Sequence, residues 1–404
     1  MPFDFNIYSA LLLPAFIQGI VFAAILWLRS MREGSLADRL LALLLLVFTL
    51  RISTWMLGFA GWYDSHDAYS TFMFYFPFSH WFAIGPLIYF YFRSLTNRDF
   101  RLRRADYLHF APAAAMLLLQ AVIFFADVVV AHGINGAPYP DHFGTKGRLA
   151  DWPPEPGRTI LQVLAYVSLG GYFILTQRTY RRYRQYLNAN FSETGNKQFL
   201  WLRYFLTAVA IVLLAWLLFD LFEFITGRTL SYIQDWYSYL LLGVVIYYLS
   251  IAGYGALPQH IVPLQFEPEQ NPSDEHQMAR NESESLLALQ KTLSAHMQHD
   301  KPYLQPELTL SELAAHLHLS PGLLSRAINT GFGQNFNEFV NAYRVEAVKQ
   351  MVVDPKNAHL SILGIAYECG FNSKATFNRA FSKHAGCSPS DFLKAQKDKQ
   401  VSNQ

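Results

Sequence analysis

The chain has 404 residues, of which 15% are charged and 16% are aromatic, whereas a soluble chain carries about 25% charged residues. The net charge of +2 is too small to indicate a class of partner. The two cysteines, Cys369 and Cys387, suggest neither a disulfide framework nor a four-ligand metal site. These averages combine two different parts, because long apolar runs fill the sequence up to about Gly255 and an ordinary soluble composition follows Pro258.

The first part predicts a bundle of about seven transmembrane helices. The runs have 18 to 27 residues, enough to cross roughly 30 Å of hydrocarbon. A backbone in lipid must satisfy its own hydrogen bonds, so such runs are expected to be helices. No basic residue precedes the first run, so we expect a retained helix rather than a cleaved signal peptide. Six or eight spans also fit the pattern. The predicted spans are Tyr8–Leu28, Leu40–Trp62, Phe72–Phe92, Tyr107–Ala131, Ile160–Gln177, Phe199–Ile225 and Trp236–Tyr254.

Basic residues alternate between the predicted connections and thereby indicate the orientation. The first, third and fifth connections are rich in Lys and Arg, whereas the second has none and the sixth has only Arg228. The fourth connection, at about Ala131–Thr159, is longer and has Lys146, Arg148 and Arg158. The odd connections are therefore expected in the cytoplasm, with the N-terminus outside. Because the predicted count of seven spans is odd, the C-terminal domain is expected in the cytoplasm. We predict a multi-pass protein of the inner (cytoplasmic) membrane whose C-terminal domain can reach DNA.

An acidic, Pro-containing segment, Leu257–Ser283, separates the two parts. Its composition offers too little apolar surface to order itself, which predicts a flexible or extended linker. The sequence thus predicts a membrane domain at 1–256, a linker at 257–283, a DNA-binding domain at 284–398 and a tail at 399–404.

Helical periodicity returns near Glu284 and predicts a first helix that ends at about His299. Thr309 and Glu312 then form a capping box at the start of a short helix that ends near His318.

Ser320 can cap the next helix, with Pro321 at its favoured first position. The residues predicted to face inward are Leu323, Leu324 and Ile328. Two short helices joined by about three residues are typical of a helix-turn-helix.

A second copy of this pattern follows a longer amphipathic helix at about Asn335–Val352. Ser361 is predicted to cap its first helix, and Gly370 supplies a turn that tolerates positive φ. Asn372 or Ser373 caps its second helix. The residues predicted to face inward are Phe377 and Phe381, and those predicted to face mostly outward are Lys374, Thr376, Asn378, Arg379 and Lys383.

Over about 284–394 the sequence resembles the AraC/XylS-type transcription regulators. In the first helix-turn-helix, the residues on the family's spacing are Leu313, Ala314, Ser320, Leu324, Ser325, Arg326, Gly333, Phe336, Phe339, Arg344 and Ala347. In the second, they are Ile365, Ala366, Gly370, Phe371, Phe377, Arg379, Phe381, Gly386, Pro389 and Phe392. Asn329 and Ser382 stand where the family often has a basic residue, and Leu393 where it has Arg. The membrane part loosely resembles the multi-span sensor regions of some members.

The resemblance implies an all-α domain that binds double-stranded DNA through the second helix of each helix-turn-helix, placed in the major groove. Two such helices on one rigid connecting helix can reach successive grooves. The candidate DNA-binding residues are Leu323, Ser325, Arg326, Asn329, Lys374, Thr376, Asn378, Arg379 and Lys383.

Four ionisable residues inside the predicted spans are candidates for signal sensing, because charge in a membrane is costly. Arg51 and His80 lie near the middle of the second and third spans, and Asp220 and Glu223 share one helical face of the sixth. They could line a cavity that holds a small polar or charged ligand. Alternatively, Asp220 and Glu223 sit at the outer interface, while Arg51 pairs structurally or snorkels.

These features together predict a membrane-embedded, one-component transcription regulator rather than an enzyme. We expect no cofactor or metal, since the sequence contains no metal motif, nucleophile constellation or Gly-rich phosphate loop. Candidate partners besides DNA are membrane lipid, RNA polymerase, an unknown small-molecule or membrane signal, and a second copy of the chain. The alternative is a transporter or membrane enzyme with a regulatory DNA-binding domain, which would require paired intramembrane charges and broken helices.

Overall fold

The computed structural model describes residues 4–78, 80–97, 100–193, 197–227, 231–255, 282–357 and 359–402. Within these ranges the regular elements are helices, and β-pairing is limited to two isolated bridges, which confirms the all-α prediction. The chain forms two compact units. The N-terminal unit comprises Met1–Thr179 and Trp201–Gln265, and the C-terminal unit comprises Tyr180–Leu200 and Phe266–Gln404.

Long apolar helices dominate the first 255 residues. The helices are α1 (Ile7–Glu33), α2 (Leu36–Phe59), α3 (Ala68–Tyr75), α4 (Trp81–Thr96), α5 (Ala111–Phe124), α6 (Gly157–Asn190), α7 (Lys197–Thr226) and α8 (Tyr232–Gly255). Among the described residues, five helical stretches are long and apolar enough to cross a membrane, namely α1, α2, Arg104–Ile134, α6 and α8. They correspond to the first, second, fourth, fifth and seventh predicted spans, and α7 covers the sixth.

The prediction of one continuous helix at Phe72–Phe92 is wrong. Helix α3 ends at Tyr75, and α4 begins at Trp81. The cause is Pro77, because the residue before a proline is driven away from the helical region. Accordingly, Phe76 has the extended conformation, with φ −69° and ψ 132°.

An ion pair closes the end of the N-terminal unit where α1 and α2 connect. The guanidinium of Arg29 donates two hydrogen bonds of 2.6 Å to the carboxylate of Asp38, and a third of 3.0 Å to the carbonyl of Tyr254 in α8. Both charged side chains are almost fully buried. Because a buried charge is costly unless it is paired and hydrogen-bonded, this bidentate pair holds the ends of α1, α2 and α8 together.

A second buried carboxylate joins α3 to the long connection before α6. Asp127 accepts a 2.9 Å hydrogen bond from the Tyr75 hydroxyl and a 2.8 Å bond from the backbone N–H of Leu149. The Tyr75 oxygen in turn accepts from the backbone N–H of Gly147 at 2.9 Å. Asp127 did not stand out in the sequence, because its partners lie far away along the chain.

The C-terminal unit contains the two predicted helix-turn-helix motifs. The capping box at Thr309 and Glu312 is present, and between Asn372 and Ser373 it is Ser373 that caps its helix. Most of the predicted linker lies outside the described residues, and its last residues, Glu282 and Ser283, begin α9. The helices are α9 (Glu282–His299), α10 (Leu310–His316), α11 (Pro321–Phe332), α12 (Phe336–Val353), α13 (Ile362–Glu368), α14 (Lys374–Ala385) and α15 (Pro389–Ser402).

Helix α12 lies between two separate hydrophobic cores. Its first half contributes Phe336, Phe339 and Val340 to the core around α9, α10 and α11. Its second half contributes Val345 and Val348 to the core around α13 and α14. The two helix-turn-helix motifs therefore share one structural helix. Helices α11 and α14 each have one buried face and one exposed face.

The turn of the second helix-turn-helix requires a glycine at position 370. The φ angle of Gly370 is +91°, and a Cβ atom there would lie 2.5 Å from the carbonyl oxygen of Tyr303 and 2.9 Å from that of Leu304. Gly386 also has positive φ, at +71°, but nothing lies within 4 Å of the Cβ position.

We expect Gly370→Ala to destabilise the C-terminal unit more than Gly386→Ala does. The second change adds only the cost of left-handed backbone, about 1–2 kcal/mol, whereas the first also forces a backbone clash. Amide hydrogen exchange of the whole protein measures both losses. Equal losses for the two variants would contradict the close approach at Gly370.

Candidate nucleic-acid interface

The first recognition helix, α11, buries one face and exposes the other. Leu324 and Ile328 are fully buried, while Arg326 and Asn329 are exposed and Ser325 is half-buried. The prediction that Leu323 faces inward is wrong, because this side chain is 40% exposed. A step of about 100° per residue carries Leu323 off the stripe that Leu324 and Ile328 define, so it joins the exposed face.

The second recognition helix, α14, has the same division. Phe377 and Phe381 are buried, as predicted. The side chains of Lys374, Asn378, Arg379 and Lys383 are exposed. The exposed side chains include the types that read or position DNA: Arg and Lys bind guanine or phosphate, and Asn binds adenine.

Thr376 does not face outward as predicted, since only 2% of it is exposed. Its hydroxyl donates a 2.8 Å hydrogen bond to Oε1 of Glu193 and accepts one of 3.0 Å from the Ser373 hydroxyl. The position lies at the edge of the buried face, where helical periodicity alone does not decide exposure. Its main partner comes from a segment 183 residues earlier in the chain.

One of the exposed basic residues of α14 is paired with an acidic residue. The Nζ atom of Lys383 forms an ion pair with Glu338 of α12. Within the described residues, no such ion pair involves Lys374 or Arg379 of the same helix. Lys374 and Arg379 lie in the first half of α14, which is the end that a helix-turn-helix presents to base edges.

Arg344, which lies on the spacing of the AraC/XylS-type family, has a structural role. It is fully buried in α12, and its guanidinium donates hydrogen bonds of 2.7 Å to the carbonyls of Tyr303 and Gln305. Burial lowers the pKa of Arg344 to about 10, and the nearby Glu193 carboxylate opposes that shift. Arg344 therefore fixes the chain between α9 and α10.

The sensing candidates fall in the N-terminal unit, where a cavity of about 630 Å³ is lined by Arg51 and His80. The guanidinium carbon of Arg51 lies 5.0 Å from the ring centroid of Trp81 and 5.3 Å from that of Tyr239. His80 stands at the break before α4. The side chains of the other two candidates, Asp220 and Glu223, lie outside the described part of the structure.

Further charged and polar groups line the same cavity. Arg158 and Asp235 contribute one charge of each sign, and Gln120 and Gln162 add amide groups. The walls are otherwise largely aromatic and aliphatic, which is the composition expected of a small-molecule site. Across the described ranges, no group of three or more His, Cys, Asp or Glu residues is arranged to hold a metal ion.

Comparison with known proteins finds similarity in the C-terminal unit. Residues 313–395 match the family described as "Helix-turn-helix domain". The chain is 35% identical over 103 residues to the uncharacterized HTH-type transcriptional regulator YfiF of Bacillus subtilis, a match that covers 26% of this chain and 32% of that protein. It is 29% identical over 86 residues to the HTH-type transcriptional regulator Rv1931c of Mycobacterium tuberculosis, covering 21% and 32% of the two chains.

Another relative is the uncharacterized HTH-type transcriptional regulator YijO of Escherichia coli, 32% identical over 85 residues, or 21% of this chain and 29% of that one. The chain thus covers about a third of the length of these regulators. A solved structure of a protein of unknown function from Listeria innocua aligns with 26% of this chain and 95% of its own, at 25% identity and a TM-score of 0.23, too low to support an argument. The C-terminal part of this chain is a helix-turn-helix domain of the AraC type, similar to domains of HTH-type transcriptional regulators.

Proposed function

We propose that the chain is a membrane-embedded, one-component transcription regulator. It binds specific DNA sequences through α11 and α14, and a signal sensed by the N-terminal unit controls it. The observation that supports this proposal most directly is the pair of exposed recognition faces built on one shared helix, α12. The proposal assigns the chain no catalytic activity.

The length of α12 supports simultaneous binding by both motifs. A helix of 18 residues is about 27 Å long at 1.5 Å per residue. Equivalent positions on one face of DNA recur about every 34 Å. A helix of this length is therefore suited to hold two recognition helices near successive major grooves.

The charge of the C-terminal domain suggests modest affinity for DNA. From Glu284 to Gln404 the sequence has 12 Lys and Arg residues against 10 Asp and Glu residues. Phosphate contacts supply much of the affinity for DNA, so such a weakly basic domain is expected to bind DNA weakly by itself. Pairing of two copies, or a high local concentration on the membrane, would raise the apparent affinity.

DNA binding should depend on the exposed cations of the recognition helices. We expect Arg326→Ala, Lys374→Ala and Arg379→Ala each to weaken operator binding, by about 1–3 kcal/mol where the side chain reads a base. The measurement is titration of full-length protein in lipid nanodiscs with DNA sites mapped across the genome. Lys291→Ala, which removes an exposed cation of α9, is the matched control. Wild-type affinity in all three variants would place the DNA surface elsewhere.

The proposed topology follows from the alternation of basic connections. Reporter fusions after Gly61 and Asn135 should be active on the outer side of the membrane. Fusions after Arg104, Arg184 and Pro258 should be active in the cytoplasm, because the C-terminal domain must reach DNA. A C-terminal fusion active only outside would refute the proposed function.

The cavity that contains Arg51 and His80 is the proposed sensing site. A ligand shifts the regulator only if it binds two arrangements of the helices with different affinities. The ring contacts of Arg51 with Trp81 and Tyr239 join α2 to α4 and α8, so a ligand that displaces this side chain would change how the three helices pack.

We expect Arg51→Ala to alter transcription of the target genes while the protein still inserts and accumulates normally. Arg148→Ala, which removes an exposed arginine outside the cavity lining, should leave transcription unchanged. Transcript levels and membrane abundance are measured together. A wild-type response from the Arg51 variant would rule this residue out of sensing.

A transport role is the second candidate, because the break between α3 and α4 beside a charged cavity is also typical of transporters. The two functions differ in what happens to the ligand. A sensor releases it on the side from which it came, whereas a transporter carries it across the bilayer. The helix-turn-helix domain favours the sensor.

A further inference from the structure

Residues Phe191, Ser192 and Glu193, here called the docking segment, pack within the C-terminal unit although they lie between α6 and α7. The segment follows the last residue of α6, Asn190, and the compact C-terminal unit includes Tyr180–Leu200. The helix-turn-helix domain therefore has a structural component that comes from the α6–α7 connection.

The docking segment first contacts the chain at the start of α10. The backbone N–H of Ser192 donates a 3.1 Å hydrogen bond to the carbonyl of Leu308. Phe191 pairs with Thr309 in an isolated antiparallel bridge. These backbone interactions fix the segment against the first helix-turn-helix.

Three polar side chains of α12 also bind the segment. The amide of Asn337 donates to the carbonyls of Phe191 and Ser192, at 3.2 and 2.7 Å. The amide of Asn341 donates to the Ser192 carbonyl at 3.5 Å, and Arg344 donates to the Ser192 hydroxyl at 3.2 Å.

The location of these donors indicates a built site rather than an incidental contact. Asn337 and Asn341 are 8% and 3% exposed, and Ser192 is fully buried. Buried amides are costly unless they are hydrogen-bonded, and asparagine is a poor helix former. Two buried asparagines one turn apart on α12 are therefore explained by the segment that they hold.

The third contact reaches the second recognition helix. The Oε1 atom of Glu193 accepts a 2.8 Å hydrogen bond from the hydroxyl of Thr376, in the first turn of α14. The N-terminal end of a helix carries partial positive charge, which attracts anions such as phosphates. A carboxylate at this end of α14 therefore offsets part of the charge that would attract a DNA phosphate.

We propose that the docking segment is an autoinhibitory contact, which holds the two helix-turn-helix motifs in a state of low DNA affinity until movement of α6 and α7 withdraws it. This inference rests on the proposed DNA-binding function and adds how that function is regulated. The segment contacts the first motif, the shared helix α12 and the second motif at once, so its withdrawal affects both recognition helices.

Helix α6 supplies a direct route for that movement. It is continuous over 34 residues, and near its start Leu161 and Tyr166 line the cavity of the N-terminal unit. Its last residue directly precedes the docking segment. A continuous helix is a semi-rigid spacer, so it can transmit a displacement along its axis.

The first test measures DNA binding by the full-length protein in lipid nanodiscs, with a pool of random-sequence DNA duplexes as the probe. Glu193→Gln removes the negative charge and keeps an acceptor for Thr376, and Glu193→Ala removes both. We expect each variant to bind roughly fivefold more tightly than wild type, as for one charge beside a phosphate in water. Glu346→Gln, which removes an exposed carboxylate of α12, is the matched control and should bind as wild type does.

Unchanged or weaker binding by both Glu193 variants would overturn the proposal, and so would an equal gain in the Glu346 variant. These outcomes leave the proposed function intact, because the wild-type protein still binds DNA in each of them. Absence of DNA binding by wild type and all variants would instead contradict the proposed function.

The second test does not depend on any variant. In the wild-type protein without DNA, the Ser192 amide should exchange slowly with solvent, since it is buried and bonded to Leu308. Saturating DNA should accelerate this exchange at least tenfold, because withdrawal breaks the bond. Fast exchange of Ser192 without DNA, or exchange that DNA does not accelerate, would refute the autoinhibitory contact.

Discussion

The burial of α12 between two hydrophobic cores is the constraint on which the C-terminal domain depends. One helix supplies Phe339 to the first core and Val348 to the second, so neither helix-turn-helix can lose its packing without affecting the other. The guanidinium of Arg344, buried in the same helix, is held by carbonyl oxygens of the chain that precedes α10. A buried charge is tolerated only with such satisfied geometry, which makes the arrangement of the two motifs specific.

In the apolar N-terminal unit, buried charged groups are also hydrogen-bonded, but by different partners. Arg29 and Asp38 neutralise each other where α1 meets α2, and Asp127 is satisfied by Tyr75 and a backbone N–H. Arg51 lies against aromatic rings on the lining of a cavity. A charged side chain on a cavity wall can contact a bound ligand, and this location is why the proposed sensor is centred on Arg51.

In the recognition helices, helical periodicity predicts the orientation of some side chains correctly and of others incorrectly. Positions in the middle of a buried or exposed arc, such as Phe377 and Lys374, are oriented as the pattern predicts. Positions at the edge of an arc are not, as Leu323 and Thr376 demonstrate. At the edge of a buried arc, the exposure of a side chain depends on which other segment packs against it. For Thr376 that segment contains Glu193.

The sequence by itself determined the all-α class, most of the long apolar helices, and both helix-turn-helix motifs with their caps, because apolar periodicity and capping chemistry act over a few neighbouring residues. The prolines and the family spacing, including Gly370, are equally local signals. The tertiary structure alone decided that Arg51 lines a cavity and that the docking segment binds α12 and α14. These facts depend on contacts between residues far apart in the chain, such as Ser192 and Arg344, and no local pattern encodes them.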